Sequence, residues 1–265
     1  MIWPAEEWNG MTVYRCPELN RSGVFQAFST RSCGNMALHT GDLPDDVIRR
    51  RRQFIETQGL SLRQLVAARQ VHGARVQVVD AVMAGAGAES QESAVPQTDA
   101  MVTSEPEIVL GIFTADCLPL FLYDPDTPAI AVVHAGWRGA LNRIAALTLE
   151  TMVKTFGTRP GRVWAAVGPG ICRNCFEVAP DLAERFRGAD PQAVAEIDSI
   201  FHVDLTGFVA RDLVSAGMNP GRVVFSGICT ACNPETFFSY RAGGGTPGRM
   251  MGIIGLKNMQ RSDFS

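Results

Sequence analysis

Two histidines and one cysteine, His72, Cys117 and His134, stand where three apolar runs give way to polar and glycine residues. Leu65 to Ala68 leads into Gln70-Val-His-Gly73, Ile108 to Phe113 into Thr114-Ala-Asp-Cys-Leu-Pro-Leu120, and Ala129 to Val133 into His134-Ala-Gly-Trp-Arg-Gly139. Two imidazoles and a thiolate suit a borderline-soft divalent metal, and three protein donors leave a fourth tetrahedral position open for chemistry. Each residue also has a plainer reading, since a buried Cys is usually inert packing and a lone His is usually a satisfied polar group. The chain has only four histidines, however, and Gly73 and Gly136 permit the close backbone approach that a ligand pocket requires. Donors scattered from 72 to 134 match no compact metal motif, so spacing alone does not name the site.

The elements that must position these donors read as buried strands, because short apolar runs bounded by loop residues are the mark of a sheet interior. Strand ends on a rigid sheet can aim several side chains at one point. Upstream, Gly23 to Ser29 reads as a strand that delivers Arg31 to a loop holding Asn35 and His39, which are candidate substrate contacts or turn formers. A helix is expected from Pro44 to Gly59, with Asp45 and Asp46 in its first turn and a solvated basic face at Arg49 to Arg52. The first twenty residues read as an irregular cap. Residues 83 to 97, rich in small and polar types, read as a mobile loop that could overhang the pocket. Asp99 either faces the site or caps a turn.

A helix from about Ala140 to Phe156 should begin beside His134, where its N–H groups and Arg138 favour an anion, although Arg138 could equally pair with a carboxylate. Val163 to Val167, Ala179 to Phe186, Leu205 to Ala216 and Arg222 to Ser226 continue the alternation, and Phe237 to Tyr240 with Met250 to Leu256 reads as a closing hairpin. This alternation implies an α/β fold with mixed sheets in a single domain spanning 1–265. Cys172-Arg-Asn-Cys175 and Cys229-Thr-Ala-Cys232 are separated by a gap well beyond the usual zinc ribbon, so the four are expected to be free thiols.

Eight motifs in this order, Phe28-Ser-Thr-Arg31, Asn35-Met-Ala-Leu-His-Thr-Gly-Asp42, Gln70-Val-His-Gly73, Thr98-Asp-Ala-Met-Val-Thr103, Thr114-Ala-Asp-Cys-Leu-Pro-Leu120, His134-Ala-Gly-Trp-Arg-Gly139, Val167-Gly-Pro-Gly-Ile171 and Phe237-Phe-Ser-Tyr-Arg241, resemble the YfiH, or laccase-domain (polyphenol oxidase), family. The resemblance runs from about Phe25 to Leu256. It implies a layered α/β/β/α sandwich like the cysteine-hydrolase fold, and a cytoplasmic zinc enzyme acting on purine nucleosides. The implied reactions are phosphorolysis of adenosine, inosine, guanosine and methylthioadenosine, and deamination of adenosine. It places the metal ligands on His72, Cys117 and His134. Arg31, Asn35, His39 and Gln70 are candidate substrate contacts, with Asp116, Cys117 and Arg138 in catalytic roles. The family pattern has Gly-Pro-Cys-Cys where this chain has Cys172-Arg-Asn-Cys175, and Arg-Arg where it has Arg241-Ala242.

Two other chemistries use the same residues. Cys117 could be a thiolate nucleophile with His134 or His72 as base, suiting a hydrolase that edits cell-wall precursors. Two histidines and a cysteine could also hold one copper, but a multicopper oxidase needs more imidazoles than four. The composition is 46% hydrophobic over 265 residues with a net charge of −3, enough for a sizeable core and against a polyanion-binding surface. No run of about 18 uncharged apolar residues appears, and seven cysteines without a leader-like stretch suggest reduced thiols. The expected setting is therefore cytoplasmic, as a monomer or small homo-oligomer, with nucleoside and phosphate as partners and neither nucleic acid nor membrane.

Overall fold

The computed structural model describes residues 2–20, 23–244 and 248–256. Two six-stranded mixed sheets lie face to face. The first, in the order β1-β2-β3-β15-β7-β4, comprises β1 (Ala5–Trp8), β2 (Met11–Tyr14), β3 (Val24–Ser29), β4 (Leu65–Ala67), β7 (Val109–Thr114) and β15 (Met250–Leu256). The second, β14-β10-β8-β9-β6-β5, comprises β5 (Val76–Val78), β6 (Ala100–Thr103), β8 (Leu118–Asp124), β9 (Ala129–Ala135), β10 (Trp164–Val167) and β14 (Val223–Phe225). A small, separately hydrogen-bonded sheet of β11 (Glu177–Val178), β13 (Ile200–Val203) and β12 (Val194–Ile197) packs into the core on the helical side of the second sheet. Helix α1 (Pro44–Glu56) covers the outer face of the first sheet. Helices α2 (Trp137–Leu141), α3 (Ile144–Phe156), α4 (Pro180–Ala189) and α5 (Leu205–Ser215) cover the outer face of the second. The expected α/β/β/α layering follows.

Period-two alternation explains why the central strands are apolar throughout. Along β8, Leu118, Leu120 and Leu122 face the helices while Phe121 faces the other sheet. Along β9, Ala131 and Val133 face the helices, and Ile130 and Val132 the other sheet. In β15, Met250 and Ile254 point between the sheets and Met251 and Ile253 toward α1. Both faces of these strands are buried, so the packing fixes their register. Among the described residues no helix is long and apolar enough to cross a membrane.

Several sequence expectations need correcting. The first twenty residues are not irregular, because β1 and β2 form an antiparallel hairpin that extends the first sheet through β3. The helix expected from 140 is two helices, broken where Arg143 adopts a left-handed backbone with φ of 60°. Phe237 to Tyr240 is not a strand, so no hairpin closes the fold, and residues 245–247 of its glycine-rich turn lie outside the described residues. Loop 83–97 is packed, not free. Ala88, Ala94 and Val95 are buried, and Ala67 pairs through its backbone with Ala86 and Val95.

The basic run on α1 is likewise not a uniformly solvated face. Arg49 and Arg52 carry surface ion pairs to Asp46 and Glu89, but Arg51 is only 1% exposed. Its guanidinium lies 4.5 Å from the Phe113 ring centroid. It donates from Nε to the Met36 carbonyl at 2.7 Å and from Nη1 to the Gly87 and Ala88 carbonyls at 2.8 Å each. Burial brings its pKa down to about 10, which still leaves it charged at neutral pH. One cation thus ties the loop before α1 to the loop at 87–88, satisfying carbonyls that would otherwise be buried without partners. Truncation by Arg51→Ala should destabilise the fold by about 3 kcal/mol, since three charge-assisted hydrogen bonds and the ring contact go together. Urea unfolding of the variant and parent measures this; a change within about 0.5 kcal/mol, typical of a surface substitution, would contradict it.

Candidate metal centre

The first and second sheets meet the cleft through three short segments. His72 lies in the loop after β4, Cys117 in the turn between β7 and β8, and His134 on β9. Because β8 pairs with β9 as Leu118↔Ala135 and Pro119↔His134, the chain entering β8 and the chain leaving β9 sit side by side at Cys117 and Gly136. The donor atoms of His72, Cys117 and His134 lie within 4.8 Å of one another. The two imidazole rings meet edge to face, with centroids 4.7 Å apart. A Cβ added at Gly136 would come within 3.1 Å of both Cys117 Sγ and His72 Cδ2 and 3.9 Å of His134 Cε1. Glycine at 136 therefore keeps the space among the three donors open.

Asp99 holds this arrangement together. It is 0% exposed, and its Oδ1 lies 2.8 Å from His134 Nδ1 and accepts from the His72 amide at 2.9 Å. Its Oδ2 accepts from the amides of Val71 at 3.1 Å and Gly73 at 2.8 Å. The two readings of Asp99 are both realised: it caps the 71–73 turn and it orients a donor imidazole. His72 accepts a left-handed backbone, φ 59°, so that consecutive amides converge on this carboxylate. With Nδ1 committed to Asp99, Nε2 of His134 is the atom free for a metal.

The charges of the site reinforce one another. Burial would raise the Cys117 thiol, but the His134 and His72 imidazoles outweigh it and bring its pKa down to about 6. Burial would lower His134, but Cys117 and Asp99 outweigh it and lift its pKa to about 9. Asp99 is held below the usual carboxylate range: burial acts against this, and His134 and the turn amides prevail. The metal-free protein at neutral pH thus carries a thiolate beside an imidazolium, and a soft divalent cation can replace the imidazolium proton. Two ring nitrogens and a thiolate around an open point fit zinc without further donors.

The three donors lie together among the residues lining a cleft of about 490 Å³, with His72 exposed and His134 buried. His39, Gln70, Asp116 and Arg138 line it, as do Phe113, Trp137, Phe176, Tyr240, Arg241 and Arg249. The Gln70 amide is used on β7, donating to the Phe113 carbonyl at 2.9 Å and accepting from the Phe113 amide at 2.8 Å, so it anchors the loop that bears His72. Asp116 has φ of 80°, a strained position for a non-glycine residue. Its carboxylate accepts from Thr230 Oγ1 at 2.6 Å, Ser239 Oγ at 3.1 Å and the Arg241 amide at 2.7 Å. Arg138 stacks on the Trp137 ring at 4.1 Å.

Arg31 and Asn35 are not among the residues lining the cleft. Arg31 stacks on Phe238 at 4.8 Å. The Asn35 side chain is buried and donates to the Ala37 carbonyl and Thr40 Oγ1 while accepting from the Ala37 and Arg249 amides, bracing the loop that presents His39. Phe176 and Leu205 are lining residues that the sequence reading did not single out; they come from the segment after β10 and from α5, with no local motif to mark them.

Two outcomes follow from this geometry. Gly136→Ala should weaken metal binding at these donors while leaving the sheets intact, which chelator competition with circular dichroism reads directly; unchanged metal affinity would refute the role given to Gly136. Affinity should rise about tenfold per pH unit where one proton is displaced, between the Cys117 and His134 pKa values of about 6 and about 9, and level off above. Chelator competition across that range measures the slope.

A family profile described as multi-copper polyphenol oxidoreductase laccase matches residues 19–257. A Deinococcus radiodurans protein named purine nucleoside phosphorylase is 39% identical over 256 residues, covering 93% of this chain and 94% of its own. A protein from an unknown prokaryotic organism named adenosine deaminase RL5 is 36% identical, covering 81% and 84% respectively. The crystal structure of the Bacillus licheniformis hypothetical protein YfiH superposes with a TM-score of 0.90 at 29% identity, covering 96% of this chain and 99% of that one. With the motifs, the layered sheets and these matches in agreement, the chain belongs to the YfiH, or laccase-domain, family.

Proposed function

We propose that this chain is a zinc-dependent purine nucleoside enzyme that phosphorolyses adenosine, inosine, guanosine and methylthioadenosine and deaminates adenosine in the cytoplasm. The observation that carries the reading is the meeting of His72, Cys117 and His134 in a cleft whose lining also includes aromatic residues and several arginines. The names of the relatives support the substrate class. When bound, zinc supplies Lewis acidity and a water activated near neutral pH. Phe113, Trp137, Phe176 and Tyr240 supply aromatic surface in the lining that suits a purine base. Arg138, Arg241 and Arg249 suit phosphate, which phosphorolysis must bring to C1′ as the C1′–N9 bond breaks. His39 is kept neutral at pH 7 by partial burial and by the Arg249 and Arg51 charges, so it is available to accept a proton. Asp116, whose oxygens are occupied by Thr230, Ser239 and Arg241, acts by holding the 239–241 segment at the rim.

Copper oxidation of phenols fits less well. A multicopper centre needs more imidazoles, and His202 is turned to the Arg173 carbonyl at 3.2 Å, away from the cleft. A second reading has one observation in its favour: without metal, Asp99, His134 and Cys117 form a carboxylate–imidazole–thiolate relay suited to a hydrolase that edits cell-wall precursors. Hydrolysis of such amides by chelated but not zinc-loaded protein would favour it.

Incubating zinc-loaded protein with adenosine and phosphate should give inosine, adenine, hypoxanthine and ribose 1-phosphate; absence of all four would overturn the proposal. His72→Ala and Cys117→Ala should each lose the metal at these donors and both activities. Arg138→Ala should raise the KM for phosphate about tenfold or more, the loss of one charge-assisted contact. Adenosine deamination, which uses no phosphate, should then be nearly unchanged.

A further inference from the structure

The two Cys-x-x-Cys segments, so far apart along the chain, meet. Strands β10 and β14 pair in parallel, Ala165↔Val223 through Val167↔Phe225, and a further parallel bridge joins Gly170 to Cys229. Adjacent parallel strands deliver their following loops to the same edge, so Cys172 and Cys175 after one face Cys229 and Cys232 after the other. The intervening helices and small sheet make the sequence separation irrelevant. The four Sγ atoms lie within 4.8 Å of one another. Cys175 Sγ is 3.4 Å from Cys232 Sγ, and Cys172 Sγ is 4.0 Å from it. None of the four is in a disulfide.

We propose that Cys172, Cys175, Cys229 and Cys232 form a second metal site, a closed mononuclear tetrathiolate centre occupied by zinc. Zinc–sulfur bonds of about 2.3 Å in a tetrahedron put the sulfurs about 3.8 Å apart, and the two distances above fall on either side of that edge. An iron–sulfur cluster, with irons and sulfides between the cysteines, would hold the thiolates farther apart. A redox pair needs only the two cysteines of one motif, whereas here Cys232 Sγ lies against both cysteines of the other motif, as a shared centre requires. The Cys172 amide donates to Cys229 Sγ at 3.2 Å, the kind of backbone contact that stabilises a metal-bound thiolate. Binding converts four thiols to thiolates, releasing up to four protons to solvent and leaving the centre with two negative charges.

The centre would brace the catalytic cleft from behind. Thr230, between Cys229 and Cys232, donates to Asp116 Oδ1. Arg241 donates to the Cys175 carbonyl at 2.8 Å and the Glu177 carbonyl at 2.9 Å, so the first knuckle sets a guanidinium that lines the cleft. No donor is shared with His72, Cys117 and His134, and the two sites can be tested separately.

The test uses full-length Cys117→Ala protein purified without chelator and dialysed after incubation with zinc. We expect one zinc per chain, with X-ray absorption showing four sulfur neighbours at about 2.3 Å. Parent protein should hold two zincs, and Cys229→Ser/Cys232→Ser should hold one, bound through mixed nitrogen and sulfur. Zinc-free Cys117→Ala with four freely titrating thiols at these positions, a disulfide among them, or nitrogen or oxygen in the metal's shell would overturn the site. Iron in place of zinc would overturn the assigned occupant. If the double serine variant fails to fold, the metal count and absorption spectrum of Cys117→Ala still decide the matter.

Discussion

The Asp99 carboxylate is the constraint from which the cleft takes its shape. A fully buried carboxylate is costly unless its oxygens are satisfied, and here three amides and one imidazole do so. Those partners come from two places distant in sequence, the 71–73 turn and the end of β9. The carboxylate therefore fixes where the His72 loop sits relative to His134, fixes which imidazole nitrogen is free, and joins the Cys117 thiolate in keeping His134 basic against its burial. Remove it and the turn amides lose their acceptor as the imidazole loses its orientation.

Around that anchor, further side chains tie the neighbouring segments together through hydrogen bonds. Gln70 is clamped to β7, Arg51 stitches two loops together beneath Phe113, and Asp116 secures the rim segment. Two of the left-handed non-glycine residues fall at the site: His72 is itself a donor and Asp116 precedes one. Such positions persist because their surroundings over-determine them, and they point the neighbouring side chains where an ordinary turn would not.

Much of this could be read from the sequence because the donors follow apolar runs, whose identity as strands is a local property. Strand ends and their polar successors survive translation into three dimensions. What failed to be legible depended on contacts between distant segments. Arg51 looks like its neighbours in a basic run, and only the Met36, Gly87 and Ala88 carbonyls distinguish it. Asn35 has the composition of a ligand-binding loop residue, yet its amide is used within the loop and on Arg249. The cysteine pairs were judged by linear spacing, a rule suited to ribbons, whereas the parallel pairing of β10 and β14 decides their proximity. Loop 83–97 looked unstructured because its anchors are backbone groups, which leave no trace in residue types.

Strand β15, the last of the fifteen described strands, sits in the interior of the first sheet, between β3 and β7. Until it leaves the ribosome, both neighbours expose unpaired edges and the inter-sheet core lacks Met250 and Ile254. The sandwich therefore cannot close until residues 250–256 have been made, and in that interval the open edges of β3 and β7 are exposed to wrong pairing.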